Sequence, residues 1–147
     1  MRALFICSAN RLRSPTAEHV FSQWSDIETD SAGLNNDADV PLSPEQIDSA
    51  DVIFVMERDH LTKLRRNFTM HAAGKRVICL NIPDDFGYLQ PELIKLLEAR
   101  LADMGILSAD AAAAIHTEVM NDVQAGIAFA EASPMPDISA LLEDVYA

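Results

Sequence analysis

The sequence predicts an α/β fold: a four-stranded open parallel sheet with helices on both faces, followed by a C-terminal helical extension. Over residues 1–103, short apolar runs alternate with stretches of helical periodicity, an order that favours parallel strands joined by helical crossovers. The run over 50–56 shows no polar alternation, as expected of a strand buried on both faces. Residues 104–147 are Ala-rich and acidic and contain no Lys or Arg. We therefore predict an α/β domain over 1–103 and an appended helical element over 104–147.

Each predicted element has its own signal. Apolar runs predict strands at 3–6, 50–56 and 76–82, and residues 27–31 are predicted to form a second short strand closed by Ala32-Gly33. Apolar residues at helical spacing predict helices at 17–24, 58–66 and 91–103, and the first of these is expected to start near Pro15. Ser43-Pro44 marks a further helix start. Ser108 is predicted to cap a long helix that ends near Pro134. Ligands of such sheets bind beyond the carboxyl ends of the strands. Cys7 and the segment 83–88 both follow strands, so we expect them to meet across one crevice.

Composition restricts the function classes. The net charge of −12 disfavours nucleic-acid binding, and no apolar run approaches the ~20 residues that span a bilayer. The apolar N-terminal run is too short for a secretory signal, so we expect a cytoplasmic protein. The two cysteines do not suggest a disulfide scaffold, and Cys79 is predicted to be an inert core residue. The four histidines show no metal-ligand spacing and are predicted to be surface residues: His19, His60, His71 and His116.

The segment from Cys7 to Pro15 carries the chemistry. Cys7 and Arg13 lie six positions apart, between the first strand and a Ser-Pro helix start. This layout predicts a phosphate-binding loop with a nucleophile in its floor, because loop N–H groups and a helix start attract anions. Arg13 can hold two phosphoryl oxygens, and Asn10 suits a left-handed backbone position. The residues expected to contact substrate are Ser8, Ala9, Asn10, Arg11, Leu12 and Ser14, with the Ser14 hydroxyl also donating to the Cys7 thiolate.

Attack by Cys7 on phosphorus would give a phosphocysteine, and the leaving oxygen then needs a proton. Asp84 and Asp85 follow the fourth strand at the right edge of the sheet, with Asp84 the first choice as the general acid. Both could instead be turn residues. Phe86 and Tyr88 could wall the pocket or simply be partly buried. Arg11 could be a solvated loop charge or a second substrate contact.

These residues resemble the low-molecular-weight protein tyrosine phosphatases. The matching positions in the loop motif are Cys7, Asn10, Arg13, Ser14, Pro15, Ala17 and Glu18. Ser31-Ala32-Gly33, residues 50–56 and Pro83-Asp84-Asp85-Phe86 also resemble family segments. The resemblance implies a cysteine phosphatase that acts on a phosphorylated protein or a small aryl phosphate, without a cofactor or metal. Three residues depart from the family pattern: Ala9 replaces a Gly, Leu12 replaces a second Cys, and Asp85 replaces a Pro.

Other interpretations remain open. The loop could hold a phosphopeptide without turnover, serve as a phosphocarrier, or belong to an arsenate reductase, although only Cys79 is available for a thiol relay. Residues 107–146 also resemble the carboxyl end of thiamine-diphosphate 2-oxoacid dehydrogenase alpha subunits. Because the catalytic parts of those enzymes are absent from the sequence, we expect the tail to mediate self-association or partner docking.

Overall fold

A computed structural model describes residues 1–24, 26–106, 117, 121 and 124–133. Its strands are β1 (Arg2–Cys7), β2 (Glu28–Gly33), β3 (Val52–Val55) and β4 (Arg76–Cys79). Its helices are α1 (Arg13–Phe21), α2 (Pro44–Ser49), α3 (Arg58–Asn67), α4 (Thr69–Ala72) and α5 (Pro91–Asp103). All strand pairs are parallel and the order is β2-β1-β3-β4, so β1 is central. Cys7 pairs with Gly33 at the carboxyl edge.

Side chains alternate between the two faces of the sheet, and each face is covered by helices. On one face Phe5 stacks on Phe21 of α1 and on Phe54 of β3, with ring centroids 5.6 and 5.1 Å apart. On the other face Leu4 and Ile53 share a core cluster with Ile47 of α2 and Leu64 of α3. Burying aromatic and aliphatic side chains on both faces supplies most of the stabilisation of such a sheet. The predicted fold class is confirmed.

Some element boundaries differ from the predictions. Helix α1 begins at Arg13, two residues before the predicted start near Pro15, and ends at Phe21 rather than 24. Strand β4 ends at Cys79 rather than 82, because Asn81 adopts a left-handed conformation with φ 51° that turns the chain before Pro83. The short helix α4 was not predicted, since its four residues carry no periodic apolar signal.

The chain divides into two compact units, Met1–Ser108 and Ala109–Ala147. In the second unit, residues 124–132 are helical. Most of the residues that carry the tail resemblance and the helix predicted from Ser108 lie outside the described residues, and the boundary between 103 and 104 stays a prediction. None of the described helices has the length and apolarity needed to cross a bilayer.

Candidate active site

The backbone between β1 and α1 forms a loop whose carbonyl groups are tied down on one side. The carbonyl oxygens of Cys7, Ser8 and Ala9 accept hydrogen bonds from the N–H groups of residues 34, 35 and 39, at 2.9–3.1 Å. With its carbonyls bound there, the loop turns its N–H side the opposite way. The N–H of Asn10 accordingly donates to the Cys7 Sγ atom at 3.2 Å. Amides turned inward in this way form an anion-binding nest.

Two residues permit this close loop. Asn10 has φ 54°, which fulfils the prediction of a left-handed position and which Asn tolerates better than most residues. Gly33 lies directly beneath the loop. A Cβ atom at Gly33 would come within 2.5 Å of the Ala38 Cβ atom and 2.8 Å of the Ser8 carbonyl oxygen. Only glycine therefore fits between the loop and the segment that ties it down.

A chain of hydrogen bonds ends on the Cys7 sulfur, and the donors along it determine the direction of the last bond. The Ser31 hydroxyl donates to the Glu18 carboxylate at 2.5 Å, so Ser31 Oγ must accept from Asn10 Nδ2 at 2.8 Å. Asn10 Nδ2 also donates to Ser14 Oγ at 3.0 Å. The Ser14 proton then has the Cys7 Sγ atom at 3.0 Å or the more distant Ala32 carbonyl at 3.4 Å. The shorter contact places Ser14 as a donor to sulfur, which stabilises a thiolate.

Arg13 is almost completely buried, with 2% of its side chain exposed. Its Nη1 donates to Glu57 Oε2 at 2.7 Å and to the Ile82 carbonyl at 2.8 Å. Its Nη2 pairs with Asp84 Oδ1 at 2.9 Å. No hydrogen bond of the described residues uses the Arg13 Nε atom. Since a guanidinium carries five N–H donors, the Nε–H and one Nη2–H remain for phosphoryl oxygens.

His60 is buried, so its predicted surface position is wrong. It shares a helix face with Leu64, four residues on, and that spacing was the signal that could have shown its burial. The Glu57 N–H donates to His60 Nδ1 at 3.1 Å, which leaves the proton on Nε2. His60 Nε2 therefore donates to Ser8 Oγ at 2.8 Å. Burial, and secondarily the charge of Arg13, lower the pKa of His60, which favours the neutral ring.

Glu57 is the second residue that the sequence analysis missed. It lies two residues after the end of β3 and directly before α3, at the same carboxyl edge of the sheet as Cys7. The available signal was a carboxylate that follows a predicted parallel strand, because such strands end at the same edge of the sheet as the loop that contains Arg13. An open pocket of about 260 Å³ lies beside it, lined by Glu57, Arg58, Asn81, Ile82 and Pro83.

The two candidate acids have different surroundings. Asp84 contacts Arg13 and so lies at the predicted phosphate site, although 64% of its side chain is exposed. Asp85 is exposed. Phe86 is partly buried and Tyr88 is half exposed. The Leu89 N–H donates to Thr16 Oγ1 at 3.0 Å, which fastens the end of this segment to the first turns of α1.

The remaining predicted residues can be placed briefly. Arg11 is exposed and pairs with Asp39 at 3.0 Å, and the hydrogen bond and charge of Asp39 raise the pKa of Arg11. Ala9 is partly buried and Leu12 is exposed. Cys79 is only partly buried, because it lies on the edge strand β4, so its predicted core position is wrong in part.

His19 is exposed as predicted, and His71 is partly buried against Asp48, with Nδ1 2.9 Å from Oδ2. His116 lies outside the described residues. The described part of the chain holds no group of three or more His, Cys, Asp or Glu side chains placed to bind a metal.

No protein-family model and no curated protein matches the sequence. Solved structures share its fold. A low-molecular-weight protein tyrosine phosphatase from Streptococcus pyogenes matches with 17% identity and a TM-score of 0.59, over 74% of this chain and 95% of the other. A low-molecular-weight protein tyrosine phosphatase from T. tengcongensis matches with 23% identity and a TM-score of 0.56, over 71% of this chain and 99% of the other. The YwlE arginine phosphatase from Geobacillus stearothermophilus matches with 20% identity and a TM-score of 0.51, over 92% of this chain and 99% of the other. The chain thus has the α/β fold of these phosphatases.

Proposed function

We propose that this protein is a phosphomonoesterase of the low-molecular-weight protein tyrosine phosphatase type. Its substrate is a phosphorylated protein or a small aryl phosphate. One observation carries the proposal: the Cys7 sulfur accepts hydrogen bonds from Asn10 and Ser14 at the floor of the same loop that ends in buried Arg13. A nucleophile, its stabilising donors and a phosphate-binding guanidinium are thereby brought together. Phosphatases of tyrosine and arginine among the structural neighbours support this choice.

The reaction would proceed in two steps. The Cys7 thiolate attacks phosphorus, the bond from phosphorus to the leaving oxygen breaks, and Asp84 gives that oxygen its proton. Water then attacks the phosphocysteine, Asp84 takes a proton from it, and phosphate leaves as the thiolate is restored. Arg13 and the loop N–H groups stabilise the charge on the phosphoryl oxygens throughout. The scheme uses no cofactor or metal.

Substitution of the nucleophile tests the mechanism. We expect Cys7→Ser to abolish turnover of p-nitrophenyl phosphate while inorganic phosphate still binds, measured by calorimetric titration. Cys79→Ser is the matched control, because its sulfur contacts only the Asn81 side chain at 3.4 Å among the described hydrogen bonds, and it should keep full activity. Full activity in Cys7→Ser would disprove the scheme. Phosphate binding without turnover in the wild type would favour a binding module.

Asp84 is the proposed acid because its Oδ1 atom lies 2.9 Å from the guanidinium that would hold the phosphoryl group. The pH–rate profiles of Asp84→Asn and Asp85→Asn separate the two candidates. The variant that loses the basic-side decline of kcat identifies the proton donor, because that decline reports loss of the donated proton. Loss of this limb in Asp85→Asn alone would transfer the role to Asp85.

Two further proposals rest on sequence. The presence of only two cysteines, Cys7 and Cys79, fits a reducing, cytoplasmic location. Apolar residues at helical spacing within 104–147 support a role of this tail in self-association or docking. Sedimentation of the full-length protein over a range of concentrations tests self-association. A monomer at every concentration would leave docking to another protein as the remaining role.

A further inference from the structure

Helix α3 presents a basic face to solvent. His60 and Leu64 are buried, whereas Arg58, Arg65 and Arg66 are exposed. Arg58 is followed at seven and eight positions by the other two arginines, a spacing that places all three on one side of a helix. We call these three arginines the α3 basic face. It spans about 12 Å along the helix, at ~1.5 Å per residue.

These charges are concentrated in one segment of an acidic chain. Six of the eleven Lys and Arg residues fall within 58–76, and this segment contains one acidic residue. The whole chain, in contrast, has a net charge of −12. Outside this segment, exposed Arg2 and Arg11 pair with carboxylates at 2.7 and 3.0 Å. Among the described residues, no carboxylate pairs with any arginine of the α3 basic face. Like charges three or four positions apart, such as Lys63 and Arg66, destabilise a helix slightly, so folding alone does not favour this arrangement.

The α3 basic face begins at the rim of the candidate active site. Glu57, the residue before α3, holds Arg13 at 2.7 Å. Arg58 lines the pocket that also contacts Pro83, the neighbour of Asp84. A polypeptide whose phosphorylated residue enters the loop can therefore continue along this face. An extended peptide at ~3.3 Å per residue covers 12 Å in about four residues.

We propose that the α3 basic face binds an acidic segment adjacent to the phosphorylated residue of a protein substrate. The inference rests on the proposed phosphatase function and adds a substrate class to it. The partner is acidic because three guanidinium groups without carboxylate partners complement Asp and Glu side chains. A nucleic acid is disfavoured because it would meet the negative field of the rest of the chain.

The experiment compares two phosphotyrosine peptides, one with four Glu residues beside the phosphotyrosine and one with Gln at those positions. We expect a lower KM for the Glu peptide, with similar kcat, because the face binds substrate away from the reacting atoms. Arg65→Glu should raise the KM of the Glu peptide about 2- to 30-fold, from the loss of one exposed charge pair and the gain of one repulsion. The KM of the Gln peptide and the turnover of p-nitrophenyl phosphate should stay unchanged. The preference should also shrink when salt rises from 50 to 300 mM, since salt screens exposed charges.

Lys95→Glu is the matched control, with the same change of charge at an exposed position on α5. Equal KM values for the two peptides, or an equal loss in Lys95→Glu, would overturn the proposal. The proposal would also fail if a DNA duplex displaced the Glu peptide at a lower concentration than the peptide itself needs. It would fail as well if the wild type were a dimer that Arg65→Glu dissociates, because the α3 basic face would then bind a second copy of the chain. If the wild type hydrolyses no aryl phosphate, the proposed function fails on its own. Titration with the unphosphorylated Glu peptide then still decides whether Arg65 binds an acidic segment.

Discussion

His60 links both ends of the loop between β1 and α1, which makes it the most informative residue to change. Its ring joins the Glu57 backbone N–H, at 3.1 Å, to the Ser8 hydroxyl, at 2.8 Å. Glu57 holds Arg13 at one end of the loop, and Ser8 follows Cys7 at the other. His60→Leu removes both hydrogen bonds. His60→Gln keeps an acceptor for the Glu57 N–H, because a Gln at this helix position reaches back to the N-cap, and loses only the contact to Ser8.

The expected magnitudes follow from the number of bonds lost. A protein hydrogen bond contributes about 1 kcal/mol net to folding, so His60→Leu should lower the free energy of unfolding by about 2 kcal/mol and His60→Gln by about 1 kcal/mol. If the hydrogen bond from His60 to Ser8 also stabilises the transition state, the loss of ~1 kcal/mol of that stabilisation lowers kcat/KM about fivefold.

A double-mutant cycle separates positioning from general stability. Urea unfolding and kcat/KM for p-nitrophenyl phosphate would be measured for the wild type, His60→Gln, Ser8→Ala and the double variant. We expect His60→Gln to have little further effect on kcat/KM once Ser8 is Ala, because the residue acts through that hydroxyl. Equal losses in both backgrounds would refute the reasoning. The exposed His19→Gln should change neither quantity.

Two further predictions concern stability. The lowered pKa of His60 means that the unfolded chain binds a proton, near pH ~6.5, more readily than the folded protein does. The urea midpoint should therefore fall as pH drops from 7 to 5.5, and less steeply in His60→Gln; identical slopes would show that His60 does not contribute. Gly33→Ala should cost about 1–3 kcal/mol by urea unfolding and impair phosphate binding, because its Cβ atom would lie 2.8 Å from the Ser8 carbonyl oxygen. Wild-type stability in this variant would mean that the loop can move aside.

The groups of the candidate site can be located in the sequence because they lie within one short segment. Cys7, Asn10, Arg13 and Ser14 lie within eight consecutive positions where a strand gives way to a helix, so their chain spacing largely determines their arrangement in space. Their supporting partners come from elsewhere. Glu57 and His60 lie 44 and 52 residues from the loop residues that they contact. Such contacts depend on the strand order, which places β3 beside β1, and a linear motif does not contain that information.

The charges around Arg13 suggest how binding and catalysis are connected. Its single positive charge already faces two carboxylates, those of Glu57 and Asp84, at 2.7 and 2.9 Å. A phosphoryl dianion must therefore be attracted largely by the loop N–H groups and by the N-terminal end of α1. It would also repel the Asp84 carboxylate, and a proton on Asp84 relieves that repulsion. Substrate binding and protonation of the proposed general acid should thus favour each other, so the substrate helps to place a proton where the leaving oxygen needs it.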